Sequence, residues 1–291
     1  MNLRIVLMGV AFALMWSSAF TSARIIVEYA APLASLSLRF LISGLLGIAI
    51  ALKLGQSFKL TKAQWRATII FGVCQNAIYL GLNFVAMQWI EASLASIIAS
   101  TMPLMVAIAG WAVFREKLPR LSVAGLVLGI VGVVLIMGAR IGDGVDLYGV
   151  LACFVAAVAL TVATLSVRGA TSGGNVLMIV GMQMLVGALC LAITAVAIEP
   201  FYVTLSWQLV TAFIYTTLVP GLLATWLWFK LVNEIGTVKA STFHFLNPFF
   251  GVAVAAVLLG ENLGVLDITG VIIVGLGILA VQLSKQKPTR S

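Results

Sequence analysis

Residues 103–118 read Pro103-Leu-Met-Val-Ala-Ile-Ala-Gly-Trp-Ala-Val-Phe-Arg-Glu-Lys-Leu118, and the chain runs on through Leu121, Gly125 and Gly132. The pattern returns from Pro248. Glu116 recurs as Glu261, Leu118 as Leu263, Leu121 as Leu266, Gly125 as Gly270 and Gly132 as Gly277, every pair 145 positions apart. Each copy is an apolar helix with proline near its middle, ended by a glutamate and followed at once by a second apolar helix. One displacement shared by six positions marks an internal duplication, so two related halves are fused in this chain.

Charge separates the two copies. The first connection, Arg115-Glu-Lys-Leu-Pro-Arg120, is rich in cations, whereas Gly260-Glu-Asn-Leu-Gly-Val-Leu-Asp267 has none. Lys and Arg accumulate in short cytoplasmic loops. The copies are therefore expected to face opposite sides of a membrane, which requires an odd number of spans in each half. The result is an inverted repeat, the ground plan of many secondary transporters.

Composition identifies the solvent. The 291 residues are 62% hydrophobic and only 9% charged, with mean hydropathy +1.17, which excludes a water-soluble domain. A spanning helix needs about 20 apolar residues. Ten runs of that length fit, roughly 5–26, 32–53, 65–89, 92–114, 121–139, 147–167, 175–198, 206–230, 237–259 and 264–283, leaving no room for an extramembrane domain.

Ten spans put both termini on one side, and the 17 Lys and Arg test that arrangement. Fourteen fall on the terminal side: Arg4, the 53–66 loop, the 115–120 loop, Arg168, Lys230, Lys239 and the tail. Arg24 and Arg140 fall opposite, and Arg39 lies inside the second span. The skew predicts N-in, C-in topology. The net charge of +8 is thereby read as topology signals and lipid-headgroup contacts, with no nucleic-acid partner. The expected fold is an all-α polytopic membrane protein of two inverted five-helix repeats, 1–141 and 146–284, with a basic cytoplasmic tail at 285–291. Cys74, Cys153 and Cys190 lie in apolar runs and are read as small core residues.

The paired Pro-to-Glu hairpins, Glu116-Lys-Leu118 with its partner Glu261-Asn-Leu263, Met15-Trp-Ser-Ser-Ala-Phe20 in the first span and Leu38-Arg-Phe40 in the second carry a resemblance. Together they resemble the drug/metabolite transporter superfamily in its EamA-type branch, and within it the YddG-type exporters of aromatic and other amino acids. The resemblance covers essentially the whole chain, and the hairpins are its specific part. It implies a bacterial inner-membrane exporter with a central cavity between inverted halves that opens to either side in turn, and it puts the fifth and tenth helices at the periphery.

Candidate site residues come from proline and polarity. Proline in a span removes a donor and frees the carbonyl four residues earlier, so Pro103, Pro220 and Pro248 release Ala99, Thr216 and His244. Freed backbone at membrane depth must be satisfied by protein or by cavity water. All three prolines are expected hinges, packing kinks being the competing reading. Gln75, Asn76, Tyr79 and Asn83 form one polar stripe on the third span, fit for substrate contact or for joining helices. Trp16 lies too deep to be an interface anchor. His244, the only histidine, has Asn247 on its face and is read as a substrate contact, a proton relay or a neutral bridge between helices. Thr164 and Trp226 complete the polar wall, with Met102 and Phe245 as apolar contacts. Arg39, about two turns from Pro32, is expected to snorkel outward and serve structure.

The acidic residues all fall at helix ends or in loops, so no carboxylate remains at mid-membrane to bind a lipophilic cation or exchange its proton. The chain is therefore read as a secondary exporter of small amphipathic metabolites, foremost aromatic and other large neutral amino acids. A multidrug efflux protein is the runner-up. A membrane-embedded enzyme would need a nucleophile motif, a metal cluster or paired Asp, none of which the sequence offers, and a channel would need charge rings or filter repeats. No cofactor or metal is expected. Partners are the solute and membrane lipids, with a monomer as the working state, although the Gly125-to-Gly129 spacing suits a close helix contact within one chain or between two.

Overall fold

The computed structural model describes residues 2–142, 144–166 and 175–284; Asp143, Arg168 and the basic tail at 285–291 lie outside the described residues. Ten of its helices are long and apolar enough to cross a membrane. They are α1 (Leu3–Tyr29), α2 (Pro32–Lys53), α3 (Lys62–Ala86), α4 (Ala92–Phe114), α5 (Arg120–Gly142), α6 (Leu147–Ser166), α7 (Val176–Ile198), α8 (Trp207–Val232), α9 (Ser241–Leu259) and α10 (Val265–Ser284). The exposed large side chains along them are mostly Leu, Ile and Val, as a lipid-facing surface requires.

Helix starts show where the acidic residues went. Pro32 opens α2 at a position where its missing donor costs nothing. The Glu199 carboxylate accepts from the next two amides, Leu33 at 2.8 Å and Ala34 at 2.9 Å. Glu261 does the same for α4, accepting from Ala92 at 2.8 Å and Ser93 at 3.0 Å. Thr61 and Gln64 form a reciprocal capping box at α3. Each device satisfies orphan amides, and the two carboxylates also place negative charge at the positive end of a helix dipole.

The chain forms two compact units that do not coincide with its sequence halves. One comprises Met1–Thr21, Trp89–Val150 and Leu223–Ser291, the other Ser22–Gln88 and Leu151–Leu222. In the first, α5 and α10 pack antiparallel along their length through the repeated glycines. A Cβ on Gly125 would sit 2.6 Å from the Gly277 carbonyl oxygen, and one on Gly132 would sit 2.8 Å from that of Gly270. Gly125 thus faces the counterpart of Gly132, and Gly132 faces the counterpart of Gly125, which is a local two-fold between the copies. The glycine spacing serves a contact inside one chain. Arg140 closes one end of this unit, bonding Glu91 at 2.5 Å and Asp267 at 3.0 Å.

In the second unit α2 and α7 pack antiparallel through Gly44, Gly47 and Gly181. Ser37 donates to the Ala188 carbonyl at 2.8 Å beside them.

The duplicated hairpin is reproduced residue for residue from its proline onward. Regular helix runs Met102–Phe114 in one copy and Asn247–Leu259 in the other. Both end in a left-handed residue, Arg115 (φ 55) and Gly260 (φ 68), and the next helices start at Arg120 and Val265. Arg115 is the one non-glycine residue with positive φ among the described residues. The turn has the same shape in both copies although arginine holds in one the left-handed position that glycine holds in the other, at a cost of about 1–2 kcal/mol.

Four helices depart from regularity. α4 breaks at Thr101, and α9 begins as a tight 3₁₀ turn over Ser241–Leu246. α8 widens to a π segment over Val219–Leu223, around Pro220. α3 widens the same way over Gly72–Tyr79, with no proline to announce it. Such insertions re-aim side chains and are frequent at functional sites.

Candidate substrate site

The break in α9 assembles a polar and aromatic group in the first unit. Crossing it places Asn247 over His244, and the Asn247 Nδ2 lies 3.0 Å from His244 Nδ1. Nδ2 can only donate, so Nδ1 accepts and a neutral ring carries its proton on Nε2. Phe12 and Trp16, one turn apart on α1, and Trp228 on α8 enclose that ring. Their centroids lie 5.3, 6.4 and 5.2 Å from it, Phe12 and Trp16 edge-on. Phe12 also meets Trp228 at 5.0 Å and Trp16 at 5.8 Å. Behind them Ala224, Leu227, Leu231, Ala240 and Phe243 form a buried apolar backing. Aromatic faces around a single neutral imidazole suit a ring-bearing or ammonium-bearing solute.

Oxygen atoms without partners accompany this group. Asn247 Oδ1 and the hydroxyls of Ser17, Ser93 and Ser96 are buried with no hydrogen bond. Gly251 allows α9 to approach closely, since a Cβ there would collide with Ser96 Oγ and come within 4.0 Å of Ser17. Buried polar atoms are normally paired, and these four are not.

Carboxylates are held elsewhere. Glu199 and Glu261 cap helices, Glu91 and Asp267 bond Arg140, Glu234 pairs with Arg4 at 3.3 Å and Glu28 with Arg24 at 3.6 Å. Among the described residues no three His, Cys, Asp or Glu side chains group as a metal site needs.

The residues expected to share one wall divide between the units. Trp16, Met102, Trp226, His244, Phe245 and Asn247 belong to the first; Gln75, Asn76, Tyr79, Asn83 and Thr164 belong to the second. Within the first, Trp16, His244 and Asn247 come together as described. Trp226 does not join them: it is 57% exposed, with the Lys230 ammonium 5.0 Å over its ring. Its neighbour two positions on, Trp228, occupies the place. Met102 and Phe245 are half-buried beside the two breaks, and Pro103 and Pro248 are buried.

In the second unit the polar stripe of α3 mostly bonds protein. Asn76 Nδ2 donates to the Gln183 carbonyl at 2.9 Å, and its Cβ occupies the space left by Gly187. Asn83 donates to the Tyr79 carbonyl at 2.7 Å and accepts from Cys153 Sγ at 3.4 Å. Thr164 donates to the Leu160 carbonyl at 2.8 Å. Gln75 is half-buried within the π segment, and Pro220 is buried in its own.

Sequence reasoning missed Phe12 and Trp228. The spacing of Phe12 to Trp16, one turn, was the available signal. Arg39 does not reach outward as expected: it is 6% exposed, packed against Phe40, and its Nε has no partner.

Comparison with known proteins agrees with this architecture. The pattern of the EamA-like transporter family matches twice, over residues 3–138 and 147–283. The chain is 24% identical to the uncharacterized transporter YvbV of Bacillus subtilis, over 90% of this chain and 86% of that one. It is 26% identical to the uncharacterized inner membrane transporter YedA of Escherichia coli, over 89% and 83%. A probable amino-acid metabolite efflux pump of Salmonella typhimurium is 24% identical over 64% of this chain and 66% of that one. A solved crystal structure matches over 98% of this chain and 99% of its own with a TM-score of 0.68 at 20% identity, which speaks to the fold. With its ten spanning helices and two matches to the family pattern, the chain belongs to the EamA-like transporter family and is a multi-pass transporter of the inner membrane.

Proposed function

We propose that this transporter exports small amphipathic metabolites, foremost aromatic and other large neutral amino acids, by alternating access of two inverted repeats, 1–141 and 146–284, with both termini cytoplasmic. The observation that carries the reading is the aromatic enclosure of the His244–Asn247 pair with every nearby carboxylate committed elsewhere. A neutral imidazole, a carboxamide and aromatic faces suit a zwitterion with an apolar side chain, whereas a lipophilic cation calls for a fixed buried acid. The local two-fold of α5 and α10 and the cation skew support inversion. The relative named as a probable amino-acid metabolite efflux pump supports the solute class. Pro103, Pro220 and Pro248 are the hinges of this reading, because each stands in or beside an irregular turn.

The test is counterflow in proteoliposomes with labelled amino acids, nucleosides and cationic dyes. Exchange of aromatic and branched amino acids is the expected result. Exchange of dyes alone would replace the reading with multidrug efflux.

A further inference from the structure

Among the described residues of the second unit, Arg39 is the one cation buried inside a span. It is 6% exposed, it makes no ion pair among the described residues, and its Nε has no hydrogen-bond partner. One turn further along α2, Ser43 is 1% exposed and its hydroxyl is likewise unpartnered. Both face the π segment of α8 at Gly221, where there is no side chain. A Cβ on Gly221 would lie 3.4 Å from Arg39 Nη2, 3.7 Å from Ser43 Oγ and 3.2 Å from the Thr216 carbonyl oxygen. The Thr216 carbonyl is the one that Pro220 denies its usual amide. What remains is two buried donors side by side, one of them cationic. A buried charge without a partner is strongly destabilising, and ionisable groups at membrane depth mark solute pathways.

We propose that Arg39 and Ser43 form an anion site that receives the carboxylate of the transported solute beside the Gly221 segment. A carboxylate offers two acceptor oxygens to the planar fork of guanidinium, leaving one also able to accept from the serine hydroxyl. A Cβ on Gly221 would stand in van der Waals contact with both donors, so the absence of a side chain there leaves them uncovered on that side. The proposal rests on the amino-acid reading above for the identity of its solute, but the site itself requires only a carboxylate.

Thermal stabilisation of the purified full-length protein tests it, with sodium phenylacetate, phenylalanine and phenylalaninamide added against a sodium chloride background. Wild type should be stabilised by the two carboxylates and not by the amide. Arg39→Gln should need at least roughly tenfold more phenylacetate for the same shift; Arg39→Lys and Ser43→Ala should lie between. If Arg39→Gln does not fold, the two milder variants decide by the same ratio of carboxylate to amide. A wild type indifferent to carboxylates, or variants that keep its full preference, would overturn the site. Phosphate or anionic-lipid vesicles stabilising wild type while phenylacetate does not would also overturn it, showing the cation to serve another anion. Arg39-dependent stabilisation by phenylacetate without phenylalanine counterflow would instead sink the amino-acid reading and leave the site standing.

Discussion

The two proline hairpins are alike from Met102 and Asn247 onward and unlike before those residues. After the proline both run regular helix to a left-handed residue and turn into a glycine-lined partner helix. Before it, α4 is regular over Ala92–Ser100, and every residue there is buried. α9 instead begins as a 3₁₀ turn of mostly half-buried residues that presents His244 to Phe12, Trp16 and Trp228. Around the α4 break Ser100 donates to the Ser96 carbonyl at 2.6 Å and Thr101 to that of Ile98 at 2.7 Å. The two copies share their scaffold after the proline and differ in backbone and burial before it.

Substitutions can break that comparison at several strengths. The largest effect is expected in the shared part. Gly125→Leu or Gly277→Leu drives a side chain into backbone rather than into a movable side chain, costing about 3 kcal/mol, the top of the usual overpacking range. Size-exclusion of the solubilised variants should show loss of the monodisperse peak, and normal peaks would mean that the α5–α10 contact is not what holds the first unit.

Next come the divergent residues. His244→Ala and Asn247→Ala should each lower amino-acid counterflow about tenfold, the worth of a hydrogen bond of about 1.4 kcal/mol, while expression stays normal. Trp16→Ala should alter the ranking among side chains instead. Equal losses for every solute in all three variants would assign the cluster to packing. Pro248→Ala should reduce transport severalfold and Pro103→Ala less, since Ser100 and Thr101 already stabilise the α4 break. Full transport by both would remove the hinge role. Smallest is Asn76→Ala, which deletes a bond between α3 and α7 worth about 0.6–1 kcal/mol. A modest fall in melting temperature checks it.

The ten spans were legible because membrane helices announce themselves through length and hydropathy, and the hairpins through a repeat that sequence and backbone keep in the same register. The site was legible only in part. His244, Asn247 and Trp16 stood out as polar or aromatic residues deep in apolar runs. Trp226 and Trp228 stand two apart on α8 and so point about 200° from each other; only packing shows that Trp228 is the one turned to His244. The α3 π segment carries no proline, so the position of Asn76 and Asn83 against neighbouring backbone could not be read. Arg39 misled because nearness to a helix end permits snorkelling, and only packing shows that α2 buries it.

Single-cysteine labelling of the two breaks tests the central claim most directly. In a background lacking Cys74, Cys153 and Cys190, cysteines at 244 and 247 should react with a membrane-impermeant thiol reagent and be protected by phenylalanine, while cysteines at 97 and 99 on α4 should stay unreactive. Equal reactivity at both breaks, or resistance at 244 and 247 from either side with no effect of solute, would contradict the assignment of the substrate site to the α9 copy.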